Sequence, residues 1–157
     1  MSSTIDGAIN RYMEAVMNCL RDNIRTELQY LGVEAVNRVR DRGVAESWQD
    51  QTGNLRSSVG MAYYEDGRKL ISSAFETVGN GAEGSAKGQQ YVDQLAQEMS
   101  STYGLCVVAA MDYAEYVEAK GRDVLASTEA WAREEVKTRL QIAIDNTIAR
   151  MQNVKIT

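Results

Sequence analysis

The chain contains no histidine, no proline and a single phenylalanine, with two cysteines among its 157 residues. Without imidazole there is no Ser-His or Cys-His couple, no His-ligated zinc, and no side chain that titrates near neutrality unperturbed. An enzyme built from this chain would depend on carboxylates, Lys, Tyr or a bound metal. Cys19 and Cys106 stand far apart in apolar settings, with no CxxC and no Cys/His cluster. They read as two reduced, half-buried thiols of a cytosolic chain rather than a disulfide or a metal pair. No run approaches the ~18 apolar residues of a membrane span, and MSSTIDGAIN lacks the basic start and apolar stretch of a signal peptide.

Positive charge is also in short supply. The formal charge is −5, and a nucleic-acid clamp needs clustered Lys and Arg to neutralise phosphates. The excess is localised: residues 43–121 hold eleven acids and five bases, while the flanking segments are nearly balanced.

What is present is periodic. Ile5, Ile9, Tyr12, Met13, Val16, Leu20, Ile24, Leu28, Leu31, Ala35 and Val39 recur in steps of three and four, which describes one face of a helix over about residues 4–41. Ser3 is its expected N-cap and Asp6 its first-turn acid. Arg38, Arg40 and Arg42 crowd its end, as the helix dipole favours, and Gly32 is a candidate kink. A helix this long exceeds the width of a small globule, so part of its apolar face is expected to meet another subunit. Residues 43–54 read as a polar turn. Val59, Met61 and Tyr63 then alternate, and Asp66-Gly67 supplies a tight turn, giving a β-hairpin over 56–76. Tyr63 and Tyr64 are adjacent on that strand, so at least one is expected to face outward.

The segment 77–88 is glycine-rich and reads as a flexible loop, followed by a helix over 89–101, a central strand over 104–111, and a last helix over 127–152. Ser127 is the expected cap of that helix, and Trp131, Val136, Leu140, Ile144, Ile148 and Met151 form its apolar face. The order predicts one α+β domain over 1–157, with a long helix at each end of the chain, a short middle helix and a small antiparallel or mixed sheet.

Little in the chain reads as catalytic. Gly79-Asn80-Gly81-Ala82-Glu83-Gly84 matches GxGxxG by letter, but it follows a hairpin strand, opens no helix at once by this reading, and carries an acid where a phosphate would sit. Asp112, Glu115 and Glu118 could share a helical face and hold a hard cation, which is the basis of a remote metal-dependent hydrolase reading. As solvated charges beside Tyr113, Tyr116 and Val117 they are ordinary. Ser57 and Ser58 have no base nearby in sequence. No catalytic, cofactor-binding or metal-ligating residue is assigned, and the chain reads as a non-enzyme. Eight tyrosines suit protein interfaces.

Two segments stand out together: Asp50-Gln51-Thr52-Gly53-Asn54-Leu55-Arg56-Ser57-Ser58-Val59, and Met111-Asp112-Tyr113-Ala114-Glu115-Tyr116-Val117-Glu118-Ala119-Lys120-Gly121. A TGNLR-S turn entering a strand, followed by a strand ending in YA-x-YVE-x-x-G, resembles the neck, head-tail joining or tail-completion (tail-component) proteins of tailed bacteriophages. The resemblance takes in both long helices. The Ala-Lys-Gly after Glu118, where many relatives have a shorter Glu-x-Gly, and the enlarged middle depart from the commoner pattern.

The resemblance implies a structural virion protein that forms a ring, hexameric or dodecameric, at the head-tail junction after assembly in the host cytoplasm. Its implied partners are further copies of itself and the neighbouring head-closure, portal and tail proteins. DNA would only pass through, along an acidic wall that offers phosphates no partner. A tail terminator or tail-tube-associated protein is the alternative within the same machinery. The motif residues implied in assembly are Thr52, Gly53, Asn54, Leu55, Arg56, Ser58, Tyr113, Ala114, Tyr116, Val117, Glu118 and Gly121. Arg56 is expected to pair with a carboxylate such as Glu118, within or between subunits. Tyr113, Tyr116 and Val117 are expected to pack the second motif on the sheet.

Overall fold

A computed structural model describes residues 2–42, 51–100 and 103–154. Its elements are α1 (Ser2–Arg40), α2 (Asn54–Ser57), β1 (Val59–Glu65), β2 (Arg68–Ser72), α3 (Ala82–Leu95), β3 (Tyr103–Ala109), α4 (Ala114–Ala119) and α5 (Ala126–Met151). The α+β class therefore holds, with a long helix at each end and a three-stranded antiparallel sheet of order β2-β1-β3. The hairpin turn at Asp66-Gly67 has both residues at positive φ, the geometry that matches the twist of paired strands. Residues 43–50, most of the expected polar turn, lie outside the described residues.

The sheet order corrects one expectation. The Val-rich strand β3 lies at an edge, and β1 is central because both neighbouring strands pair with it. Every residue of β1 is buried. Val59, Met61 and Tyr63 meet α1 and its surroundings, while Ala62 and Tyr64 meet Phe75, Val92 and Val108 on the side of α3. Neither tyrosine faces outward; both are fully buried. Each ring finds a polar partner for its hydroxyl, which removes the cost of burying it. Tyr63 donates to Glu65 Oε1 at 2.6 Å and Tyr64 donates to the Val92 carbonyl at 2.6 Å. Burial pushes both phenols up, Tyr64 to about 12.

Glu65 ties this strand to α1. Arg25 donates Nε to Oε1 at 3.1 Å and Nη2 to Oε2 at 2.9 Å, a two-pronged pair against a carboxylate of 8% exposure. Burial alone would raise the Glu65 pKa; the hydrogen bonds from Arg25 and Tyr63 outweigh it and leave it lowered.

The middle of the chain corrects a second expectation. Residues 82–88 are helical, so α3 starts seven positions before the predicted 89 and ends at Leu95. Its glycines are there for contact. A Cβ on Gly84 would stand 1.9 Å from the Asn54 carbonyl oxygen, and one on Gly88 would stand 2.2 Å from the Phe75 ring. Helix α1 likewise runs unbroken through Gly32, where a Cβ would meet Met61 at 2.4 Å; the glycine admits the sheet and marks no kink. Helix α1 also begins at Ser2, ahead of the expected cap Ser3, which moves Asp6 out of its first turn.

Helices α1 and α5 pack antiparallel. Asn23 donates to Thr147 Oγ1 at 2.9 Å, and Arg139 lies 3.4 Å from Glu27 and 3.3 Å from Glu34. The Arg38 guanidinium stacks 4.0 Å above the Trp131 ring. The buried face of α5 is Thr128, Ala143, Thr147 and Met151, whereas Leu140, Ile144 and Ile148 of the expected face are exposed. Cys19 and Cys106 are free and half-buried, as the sequence suggested.

Two outcomes test this packing. Replacing Gly by Ala inside a helix normally gains about 1 kcal/mol, but Gly84→Ala is expected to lose about 1–3 kcal/mol through overpacking. A lower urea midpoint checks it, and a raised midpoint would contradict the Asn54 contact. Because the folded pKa of Glu65 is below its unfolded value of about 4.3, its contribution is complete above that pH and disappears as the pH falls through the folded value. The stability gap between the native chain and Glu65→Gln should therefore be widest near pH 7 and close towards pH 3, as read by melting temperature.

Candidate functional site

The two motif segments, far apart in sequence, lie against each other beside the N-terminus of α3. Between them is a groove of about 530 Å³ whose walls include Thr52, Leu55, Lys87, Met111, Tyr113 and Val117. Leu55 and Val59 share one apolar cluster with Met111, Ala114 and Val124, against which Val117 packs.

The first motif is a latch built from backbone geometry. Gly53 sits at φ 86°, and a Cβ there would lie 1.8 Å from the Val78 carbonyl oxygen, so no other residue fits. The turn opens α2 when the Gly53 carbonyl accepts from Ser57 N–H at 2.9 Å. Thr52 Oγ1 accepts from Asn54 N–H at 3.2 Å. Asn54 Oδ1 then accepts from Gly84 N–H at 3.1 Å, so this side chain caps the first turn of α3 from a distant part of the chain. Leu55 is buried. Ser57 Oγ accepts from Val78 N–H at 2.8 Å, and Ser58 Oγ donates to the Leu55 carbonyl at 2.7 Å. Both serines are fully buried and engaged with backbone.

The second motif is the short helix α4, closed at its end by Gly121. Met111 and Ala114 are buried and Val117 is half-buried. Tyr113 and Tyr116 point to solvent, at 40% and 64% exposure. That overturns the expectation that these rings pack on the sheet: Ala114 and Val117 turn inward, Tyr116 falls on the side opposite Ala114, and Tyr113 stands beside Val117 at the groove wall with its ring largely in solvent. Lys120 lies 5.1 Å from the Tyr116 ring. Gly121 closes α4 at φ 76°, its N–H donating to the Glu118 carbonyl at 3.0 Å.

Glu118 is engaged locally. Its Oε1 accepts from Leu125 N–H at 3.1 Å and from Ala126 N–H at 2.7 Å, capping the N-terminus of α5 where negative charge is favoured. Arg56 is half-buried. Asp123, not the expected Ser127, supplies the other cap: its Oδ1 accepts from Ser127 N–H at 3.1 Å, and its Oδ2 pairs with Arg42 Nη1 at 2.6 Å. Burial by itself would raise the Asp123 pKa; the Ser127 hydrogen bonds and Arg42 leave it lowered.

The three carboxylates considered for a cation are drawn apart. Lys87 takes Asp112 at 3.0 Å and also reaches Glu83 at 3.4 Å, while Glu118 caps α5. Among the described residues no three such ligands gather into a cation cage. Other acids of the middle segment are also engaged within the chain: Glu65 with Arg25, Asp93 with Lys69, and Glu76 with Arg40 at 3.8 Å. No helix among the described residues is long and apolar enough to cross a membrane.

Comparisons with protein-family models, with curated proteins and with solved structures return no match.

The capping role is open to direct test. Glu118→Ala is expected to cost about 1–2 kcal/mol of stability, the range for a lost helix cap, whereas exposed Glu115→Ala should leave the urea midpoint within about 0.5 kcal/mol of the native chain. Equal losses at both positions would remove the distinction between cap and solvated charge.

Proposed function

We propose that this chain is a structural virion protein of a tailed bacteriophage, a ring-forming neck or tail-completion component that joins head to tail. The observation that carries the reading is the convergence of the two motifs that bear the resemblance. They build one rigid junction in which Gly53, Asn54, Leu55, Ser58, Ala114, Val117 and Glu118 have fixed packing or capping duties, and Tyr113 and Tyr116 are offered outward. A catalytic site would hold polar groups free for a substrate; this junction uses them to fix backbone. Exposed tyrosines on a rigid support are suited to protein contact, because two torsions per ring are all that binding must order.

Ring closure requires a head-to-tail interface, in which different patches of one subunit meet. The Tyr113/Tyr116 face is one such patch. An acidic channel wall finds no support, since among the described acids of the middle segment Glu65, Glu76, Glu83, Asp93, Asp112 and Glu118 serve ion pairs or caps within the chain.

Light scattering and electron microscopy of the purified protein test the reading. A closed multiple of the 17.4 kDa chain, seen as rings, is expected. Tyr116→Ala should weaken assembly or attachment to tail-less heads while leaving the melting temperature unchanged. A protein that stays a single chain at every concentration, with or without heads, would refute the ring.

A further inference from the structure

Helix α1 has a free end. Its 39 residues extend about 58 Å, against about 39 Å for the 26 residues of α5. Because Asn23 meets Thr147 and the helices are antiparallel, α5 ends near the level of Cys19, and the first four turns of α1 project past it. No residue from 4 to 18 is buried. Yet this overhang carries Ile5, Ile9, Met13 and Met17, spaced by four and exposed at 61%, 51%, 53% and 54%. An apolar stripe of this kind on a projecting helix is an interaction surface by its chemistry.

The same chain carries a concave counterpart. Lower down, α1, α5 and the bare edge strand β3 enclose a groove of about 540 Å³, with Leu28 and Leu31 as floor, Ala132 and Val136 on one wall, and Tyr103 and Leu105 on the other. A second hollow of about 220 Å³ continues it towards Leu125, sharing Leu105 and Ala132. From Leu125 to Leu140 the groove runs along fifteen residues of helix, about 22 Å; the stripe from Ile5 to Met17 runs about 18 Å. Anchors at i, i+4, i+8 and i+12 are how an amphipathic helix fills such a groove.

We infer that the N-terminal overhang of α1 docks in the α1/α5/β3 groove of another copy of this chain. Three features favour a second copy as occupant. Stripe and groove are matched in length and in apolar character. Among the described residues both are uncovered in a single chain and present in equal number, so one contact type covers both, whereas pairing overhang with overhang would leave every groove empty. The flanks are compatible in charge: the overhang carries Arg11 and Glu14, the groove rim Glu129 and Arg133, so neither side presents a single sign. Self-docking stands on these surfaces alone. Only its extension to a closed ring rests on the function proposed above.

Cross-linking separates the two. In a background with Cys19 and Cys106 replaced by Ala, Met13→Cys lies mid-stripe and Ala132→Cys mid-groove. Mixing the two single-cysteine proteins under mild oxidation should give a disulfide-linked pair containing one chain of each. A mixture that yields none, or linkage only between Met13→Cys chains, overturns the docking. The chain with both cysteines then reports symmetry: a ladder of products supports docking and ring together, while a product that stops at two chains supports docking, by reciprocal exchange, and rejects the ring. Met13→Asp, on a side chain already in solvent, should abolish self-association with no shift in melting temperature; association that persists unchanged also overturns the proposal.

Discussion

The structure depends on burying one strand on both faces. With β2 and β3 hydrogen-bonded along its two edges and side chains packed above and below, β1 has no solvent boundary. Its adjacent tyrosines must then each find a polar partner inside the protein. Tyr63 finds Glu65, which in turn fixes Arg25 of α1. Tyr64 finds the Val92 carbonyl in α3. A buried phenol left unpaired would cost on the order of 1–3 kcal/mol, so these two bonds set the heights of both helices against the sheet. The close glycine contacts at Gly32 and Gly88 follow from the same squeeze, since α1 and α3 approach until only hydrogen separates them from Met61 and Phe75.

This explains which parts of the fold were legible in the sequence. The long helices, the hairpin and its Asp66-Gly67 turn announce themselves through period and turn chemistry, which are local. The middle helix does not. Gly84 and Gly88 weaken helix propensity and mimic a loop, and what makes them helical is a neighbour's backbone and a neighbour's ring, invisible to local reasoning. The tyrosines failed for a related reason: alternation assumes one wet face, and a central strand with two covered faces has none. The exposed Leu140, Ile144 and Ile148 show the converse, an apolar face read correctly as a pattern but left uncovered by the chain itself.

The motif residues divide the same way. Gly53 was legible as a turn residue, because positive φ is a local demand. Asn54 as the cap of α3 and Glu118 as the cap of α5 were not, since each acts across a gap in sequence that no spacing rule encodes. In the structure α3 and α5 have Gly81 and Leu125 at the cap position, neither giving a side-chain cap. Their free N–H groups are met by side chains from other segments, one of the ways a helix start can be satisfied.

That borrowing bears on assembly. A cap supplied from another segment welds two parts of the chain, so the 51–58 latch, the start of α3, α4 and the start of α5 move as one piece. This junction contrasts with the projecting end of α1, where Ile5, Ile9, Met13 and Met17 stand exposed. A chain that fixes one end of its body by capping and leaves the other end apolar and projecting has its stability and its adhesion in separate places. Substitutions at the overhang can then alter association without altering the fold, and substitutions at the latch alter the fold first.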